Sequence, residues 1–377
     1  MRVVIAPDSF KGSISARDIC SAIREGILRI FPDAEIKAIP LADGGEGTME
    51  NMVYASNGTL KTTTVKGPIG KEVRASYGIL GDGETVVIEM AQASGLPLLT
   101  PEERNPYLTT SFGTGQMIKH ALDEGYRKFI VGLGGSATND GGTGMLTALG
   151  VKLFDEYGRI LPEGGAHLSQ LACFDDTALD PRIKESQFMI ASDVNNKLCG
   201  EKGASAVFGP QKGATPKMVE YLDSALNHLA EIVLKQKGVD IREMPGGGAA
   251  GGMGAALMAF LGASIKSGID VIMKEIHFDN QIKGTDLIIT GEGKLDHQTL
   301  SGKVIAGVCK IAGKHQVPVV VLCGGVDLEP SKFKDLGVLT ALSIVPGPCS
   351  LEESISKSAE WITERTESIM KIISYYK

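Results

Sequence analysis

The densest polar stretch in the sequence is TGEGKLDHQTLSGK, residues 290–303, which follows the aliphatic run DLIIT. It sets Glu292, Lys294, Asp296, Gln298, Thr299, Ser301 and Lys303 close together, and such a density of polar groups is poor core material. The stretch is either a long solvated loop or a ligand site, and the buried strand predicted just before it favours the site. It closes on Gly302-Lys303, yet it is no Walker A loop. That loop needs Gly, four residues, then Gly-Lys-Ser/Thr. Here His297 occupies the first glycine position and Val304 follows the lysine. His297 reads as a solvated loop histidine, and no Ser-His-Asp or Cys-His grouping emerges around it.

Four more clusters carry residue types suited to binding anions or moving protons. APDSFKGS, residues 6–13, sits where a first strand should end, and Asp8, Ser9 and Lys11 can position a carboxylate or phosphate there. LADGGEGT, residues 41–48, places Asp43 and Glu46 in a turn that glycines make easily. Two carboxylates with little bulk around them suit Mg2+ or a substrate hydroxyl. IASDVNNKLCG, residues 190–200, ends a strand with Ser192, Asp193, Asn195 and Asn196. An Asp and an Asn so placed can act as general base and as metal or phosphate ligand, or simply close a turn with Asx hydrogen bonds. FGPQKGA, residues 208–214, offers Lys212 to a phosphate.

VGLGGSATNDGGTGM, residues 131–145, is the richest glycine stretch. Gly132, Gly134 and Ala137 satisfy the relaxed dinucleotide fingerprint G-x-G-x-x-A after a strand. Asp155 follows beyond another strand, at about the spacing of a ribose-binding acid. An NAD-dependent oxidoreductase acting on a small hydroxy acid is therefore a competing reading. The next residues argue against it. Asn139, Asp140, Gly141, Gly142 and Gly144 would fill the first turns of the helix, where each glycine costs about 1 kcal/mol and Asn and Asp prefer caps and turns. A longer glycine loop, with Ser136, Thr138, Asn139 and Asp140 directed at a ligand, fits better. Gly246, Gly248 and Gly251 match G-x-G-x-x-G with no clear strand before them, which shows how little the pattern says alone.

The elements that must position these clusters are legible in outline. VVIA predicts a buried strand. Ile19, Ile23, Ile27 and Ile30 predict a helix over 15–30, with Ser13 or Ser15 as N-cap and Pro32 beyond its end. A second strand near EIKAIPL begins a βαβ pattern. TTTV, VRASYGIL and TVVIEM read as an antiparallel meander. From residue 111 the α/β alternation returns: a helix over 111–124, strand KFIVGL, a helix near 142–149, then strands VKLF and QFMIASD. Thr215-Pro216 opens a helix with Met218, Leu222, Leu226, Leu229 and Val233 on one face and Gly238 after it. GGMGAALMAFLG reads as a tightly packed helix. DLIIT and VPVVVLCGG are continuous apolar runs, as parallel strands covered on both faces should be. The prediction is an α/β fold of two domains. A doubly wound parallel sheet is built from both chain ends, residues 1–65 and 281–377, and residues 66–280 form an inserted mixed α/β domain with glycine-rich loops. The active site would lie in the cleft between them.

The length of 377 residues fits two domains at ~150 residues each. The 43% hydrophobic and 22% charged residues are ordinary for a globular protein. With a net charge of −7 and no long Lys/Arg run, nucleic acid is not an expected partner. Six scattered cysteines without a C-x-x-C pair predict reduced, packed thiols rather than zinc or disulfides. The N-terminal apolar run is too short for a signal peptide and no segment is apolar enough to span a membrane, so a soluble cytoplasmic protein is expected. Glycine stands out: 48 residues, against a usual ~7%, gathered into the clusters above.

Taken in order, VVIAPDSFKGS, ADGGEGT, GGSATNDGG, SDVNN, FGPQKGA and TGEGKLDHQTLSGK closely resemble the bacterial glycerate kinases of the type I family. The resemblance runs over essentially the full chain. It implies ATP- and Mg2+-dependent phosphorylation of D-glycerate, leaning toward 2-phosphoglycerate over 3-phosphoglycerate, and a two-domain α/β architecture with a Rossmann- or flavodoxin-like domain. Under it, Gly134, Gly135, Gly291 and Gly293 would offer backbone N–H groups to the ATP phosphates, joined by Glu292 and Asp296. Lys11, Lys212 and Lys303 would offset negative charge. One of Asp43 and Asp193 would hold Mg2+ and the other would orient or deprotonate the glycerate hydroxyl, with Asp193 the expected base. Ser9, Lys11 and Ser136 are candidates for the glycerate carboxylate, and Asn139, Asp140 and Asn195 for the rest of the substrate. A non-enzymatic sensor of small acids is a third class, for which no output segment is evident. The oligomeric state stays open.

Overall fold

Val3, Val4 and Ile5 are β-branched and fully buried, so β1 (Arg2–Ile5) forms where no polar face is required. The helix Ala16–Leu28 follows. Ser15 caps it by accepting from the Asp18 N–H, and Ile19, Ile23 and Ile27 form its buried stripe. β2 (Glu35–Ala38) lies parallel to β1. The chain then leaves this sheet. β3 (Thr59–Lys66), β4 (Glu72–Ile79) and β5 (Thr85–Glu89) form the antiparallel meander, and β5 also pairs in parallel with β6 (Lys128–Gly132). β7 (Lys152–Phe154) and β8 (Cys173–Asp175) make a separate antiparallel ribbon. β9 (Gln187–Ala191) and β10 (Ser264–Lys266) continue the second sheet in parallel, giving the order β10-β9-β6-β5-β4-β3. β11 (Leu287–Leu295), β12 (Val319–Val326) and β13 (Thr340–Ser343) complete the first sheet as β13-β12-β11-β1-β2, parallel throughout.

This computed structural model describes residues 1–45, 47–297, 299 and 303–376. Three candidate residues, Glu46, Gln298 and Ser301, lie outside that set. The chain divides into two compact units. One comprises Met1–Asp43, Glu50–Asn57 and Ile269–Lys377, the other Gly44–Met49 and Gly58–Gly268.

In the first unit, Val3, Ile5, Leu287, Ile289, Val320 and Leu322 pack with Ile19 and Ile23 and with Trp361 and Ile362 of the helix Ser358–Tyr375. Val4, Ile288 and Val321, of the opposite parity, are just as buried, and the helix Val304–Lys314 buries Val304, Ile305 and Val308. Both faces of the sheet are covered, the α/β arrangement that the sequence predicts. The chain leaves β1 toward β2 on one side and leaves β11 toward β12 on the other. The C-terminal ends of β1 and β11 are therefore the switch point of this sheet, where diverging loops open a crevice. In the second unit, Val86, Ile88, Phe129, Val131, Phe188 and Ile190 pack with Met117, Ile118, Leu226 and Leu229.

Three expectations change. Residues 59–65, read with the first segment, are the edge strand of the second sheet, because β3 pairs residue for residue with β4 from Thr59↔Ile79 to Lys66↔Glu72. VKLF does not join the main alternation, since β7 pairs with β8 instead. The cysteines are all free, but not all packed. Burial pushes the Cys20, Cys309 and Cys323 thiols up to about 12, whereas Cys173 and Cys349 are exposed. No helix among the described residues is long and apolar enough to cross a membrane.

Candidate active site

The first unit gathers its cluster at the switch point. Beyond β1 the backbone stays beside β11, with Ala6 N–H donating to the Ile289 carbonyl and Asp8 N–H to the Gly291 carbonyl, both at 2.8 Å. This brings Asp8 into the field of Glu292. Asp8 is only 7% exposed, and its Oδ1 accepts from the Ser9 N–H at 2.7 Å, with Ser9 Oγ 3.4 Å away. Burial, and then the charge of Asp43, push the Asp8 carboxyl up to about 7, against the opposing pull of the Ser9 N–H and Lys11. Glu292 is buried in β11 and is also pushed up by burial. The Thr299 hydroxyl, which donates to its Oε1, and the charge of Lys303 oppose that shift, while Asp296 and Asp43 add to it. Lys11 Nζ lies 3.7 Å from Asp43 Oδ2. The structure thus brings Asp8, Ser9, Lys11, Asp43, Glu292, Asp296 and Lys303 into one electrostatic neighbourhood.

TGEGKLDHQTLSGK is strand before it is loop. β11 continues through Leu295, which pairs with Val326 of β12. Gly291 is needed for that pairing, because a Cβ there would stand 2.2 Å from the Leu322 carbonyl oxygen. Gly291 and Gly293 therefore lie inside a parallel ladder and form no open glycine loop. The chain turns only at Asp296, whose N–H donates to Thr299 Oγ1 at 3.2 Å while the Thr299 N–H returns to the Asp296 carbonyl at 3.1 Å.

The second unit builds its loops beyond β5, β6 and β9. After Gly132 the chain runs irregularly to the short helix Thr143–Ala148. The dinucleotide reading fails here on two counts. No helix opens within the G-x-G-x-x-A segment. Asp155 follows β7 in the separate ribbon, where its carboxylate accepts from the Tyr157 and Arg159 N–H groups and from Arg159 Nε. Gly134 and Gly135 are exposed. Gly44 and Gly45 of the DGGEGT motif pack closely here: a Cβ on Gly134 would meet Gly45 Cα at 3.0 Å, and one on Gly44 would meet the Ala191 carbonyl oxygen at 2.7 Å. Ser136 is buried and bridges to Gly95.

Asn139 and Asp140 do not face outward to a ligand; both are fully buried. Asp140 Oδ2 accepts from the Ser111 N–H at 2.8 Å and the Ser111 hydroxyl at 2.7 Å, and Oδ1 accepts from the Gly142 N–H at 3.0 Å. A reversing glycine loop exposes backbone donors, and a carboxylate beneath it satisfies them. Asn139 Nδ2 donates to Ser205 Oγ at 2.9 Å. Lys212 is also buried, with its ammonium donating to the Thr138 carbonyl at 2.6 Å. Asp193 and Asn195, in contrast, are exposed just beyond β9. The stretch PGGGAAGGMG supports this loop: the Gly248 N–H donates to the Asn196 carbonyl at 2.9 Å.

Among the described residues, no group of three or more His, Cys, Asp or Glu side chains is arranged to hold a metal ion alone. Mg2+ in phosphate chemistry takes one or two carboxylates and completes its shell with water and phosphate oxygens. Asp8 and Asp43, where one carboxylate already disfavours ionisation of the other, fit that smaller donor set. Ser111 and Ser205, which hold Asp140 and Asn139, were not legible as parts of this region, because they lie far away in the sequence. The only signal was the run of small hydroxyl residues around Ser111.

The likenesses to known proteins cover both units. A profile of the Glycerate kinase family matches residues 3–374. The chain is 45% identical over 377 residues to a glycerate kinase of Bacillus subtilis (strain 168), covering 100% of this chain and 99% of that one. It is 46% identical over 369 residues to the glycerate 2-kinase of Escherichia coli (strain K12), covering 98% and 97%. A solved structure from Salmonella typhimurium LT2, described as a candidate glycerate kinase 2, matches with a TM-score of 0.88 at 44% identity, covering 100% of this chain and 98% of that one. The matched spans run from end to end and contain every polar cluster described above, and the chain belongs to the glycerate kinase family of phosphotransferases.

Proposed function

We propose that the enzyme phosphorylates D-glycerate with Mg-ATP and releases 2-phosphoglycerate. The observation that carries this reading is the cluster at the β1–β11 switch point, where Asp8, Asp43 and Glu292 stand with Lys11 and Lys303. Phosphoryl transfer leaves the protein little covalent chemistry. It must hold the phosphates, offset their charge and orient the acceptor hydroxyl. Lys11 and Lys303 supply positive charge for the phosphates. Asp43, with Asp8, would hold Mg2+, which when bound neutralises phosphate charge. Ser9 can donate to an anionic oxygen beside them. In the second unit, the exposed Gly134 and Gly135 offer backbone N–H groups to an anion. The exposed Asp193 and Asn195 are suited to the glycerate hydroxyl, with Asp193 as its base. The name of the Escherichia coli relative supports the 2-phosphate product. The free thiols fit a reducing compartment such as the cytoplasm.

A coupled ADP-release assay with Mg-ATP and D-glycerate, followed by 31P NMR of the product, tests the reading. Glycerate-dependent ADP release with a phosphate on the C2 oxygen is the expected result. A C3 phosphate would overturn the assigned product. Absence of turnover in a folded sample would overturn the substrate.

A further inference from the structure

We infer that Lys212 is a positioning residue, which holds the 134–142 loop in shape from beneath and is not itself a ligand of the phosphates. The inference rests on the kinase reading for its activity assay, though not for its geometry. Lys212 is 1% exposed, which is exceptional for a lysine. Its ammonium donates to the Thr138 carbonyl at 2.6 Å. The same segment makes a second attachment: Ser205, on the helix Ala204–Phe208 just before the turn Pro210–Lys212, takes the Asn139 amide at 2.9 Å. Two consecutive loop residues are thereby gripped by one short segment of chain, residues 205–212. From another side, Gly251 presses on the same carbonyl, where a Cβ would stand 2.1 Å from the Thr138 oxygen, and its own carbonyl accepts the Gly141 N–H at 2.9 Å.

Charge completes the arrangement. The fully buried Asp140, which accepts from Ser111 and Gly142 at the base of the loop, acts on Lys212 electrostatically. Burial alone disfavours the ammonium and the carboxylate alike; the charge of Asp140 limits that penalty for Lys212, and hydrogen bonds from Ser111, Gly142 and Gly144 limit it for Asp140. Removing the lysine would leave a buried carboxylate without its counter-charge and a carbonyl without its donor. The loop would then lose the geometry that presents Gly134 and Gly135. Thr138 Oγ1 and Asn139 Oδ1 are buried without hydrogen-bond partners, so this layer already carries unsatisfied polar groups, and the loss of the Lys212 donor would add another.

Two experiments separate a clamp from a phosphate ligand. The first is acetic anhydride footprinting of the wild-type protein, with and without Mg-ATP and D-glycerate, read by mass spectrometry. Lys212 should stay unlabelled in both states while the exposed Lys11 is labelled in the free protein. Labelling of Lys212 in the free protein, with protection by ligand, would overturn the inference, and this test requires no variant to fold. The second is a cycle of Lys212→Met and Asp140→Asn. Lys212→Met should lower kcat/KM by about 30-fold and speed hydrogen exchange of the 141–144 amides by about 10-fold, whereas in the Asp140→Asn background it should lower kcat/KM by less than about 3-fold. Equal losses in both backgrounds, or unchanged exchange, would overturn it. A wild-type protein with protected loop amides but no turnover would count against the kinase reading alone.

Discussion

Asp8 shows how far an environment can move a residue from its ordinary chemistry. Its carboxyl titrates near 7 in the fold against an ordinary value of 3.8. At acid pH, below the ordinary value, folded and unfolded chains both hold the proton. As pH rises toward 7 the unfolded chain releases it and the folded one does not. Stability is therefore lost across that interval, on the order of 4 kcal/mol by the time Asp8 is ionised. Asp8→Asn removes this penalty. In nucleotide-free protein with EDTA, its melting temperature should exceed that of the wild type clearly at pH 8 and by less than about half as much at pH 5, while turnover falls by about 100-fold or more. An equal shift at both pH values would refute the assignment. Lys11→Ala and Asp193→Asn change exposed side chains, so each should lose about 100-fold in turnover with stability within ~0.5 kcal/mol of wild type. Near-normal turnover in either variant would remove that residue from the mechanism. The sequence names Asp8 as a polar residue after a strand, but its raised carboxyl depends on burial and on the charges of Asp43 and Glu292, which local reading cannot place beside it. The same limit explains Asn139 and Asp140. A polar residue in a glycine loop can point outward or beneath, and here the decision belongs to Ser111 and Ser205.

At the scale of elements, legibility followed burial. β1 and the opening halves of β11 and β12 are aliphatic runs, and such a run has few alternatives to an inner parallel strand. The helices Ala16–Leu28 and Pro216–Lys237 carried both stripe and cap in the sequence. β7 pairs outside the main alternation that the sequence suggests for it, because a three-residue strand does not specify its partner. The end of β11 reads as a loop because glycine and charge normally signal one, whereas Gly291 serves close strand pairing. The glycine-rich turn around Gly251 was legible as unusual but not as a support. Gly251 has φ +66°, and a Cβ would collide with the Thr138 carbonyl, so backbone strain and overlap act together there. Gly251→Ala should destabilise the protein by roughly 2–4 kcal/mol in urea unfolding and reduce turnover beyond what the unfolded fraction explains. A loss below ~1 kcal/mol would mean that the loop can shift without strain.

At the scale of the whole molecule, the charge balance sets a demand on the ligands. The chain carries a net charge of −7, and three of its carboxylates crowd the switch point of the first sheet. A free nucleotide polyphosphate approaching such a protein meets repulsion, both from the overall field and from Asp8, Asp43 and Glu292. A divalent cation reverses the local sign by giving the carboxylates and the phosphates a shared partner. Binding to the folded state alone stabilises it by about 2.7 kcal/mol at a ligand concentration of 100 times Kd, which for a protein of this size is a rise of several degrees in melting temperature. Mg-ATP at millimolar concentration should therefore raise the melting temperature by roughly 5 °C, and ATP with excess EDTA by less than about a third of that. NAD+ should have no effect, since Asp155 is held by Arg159 in the ribbon and the loop after β6 opens no helix. Equal stabilisation by ATP with and without the metal would show that the acidic cluster serves something other than a metal–phosphate contact. Stabilisation by NAD+ would return the 131–145 loop to dinucleotide binding by a geometry unlike the classical turn.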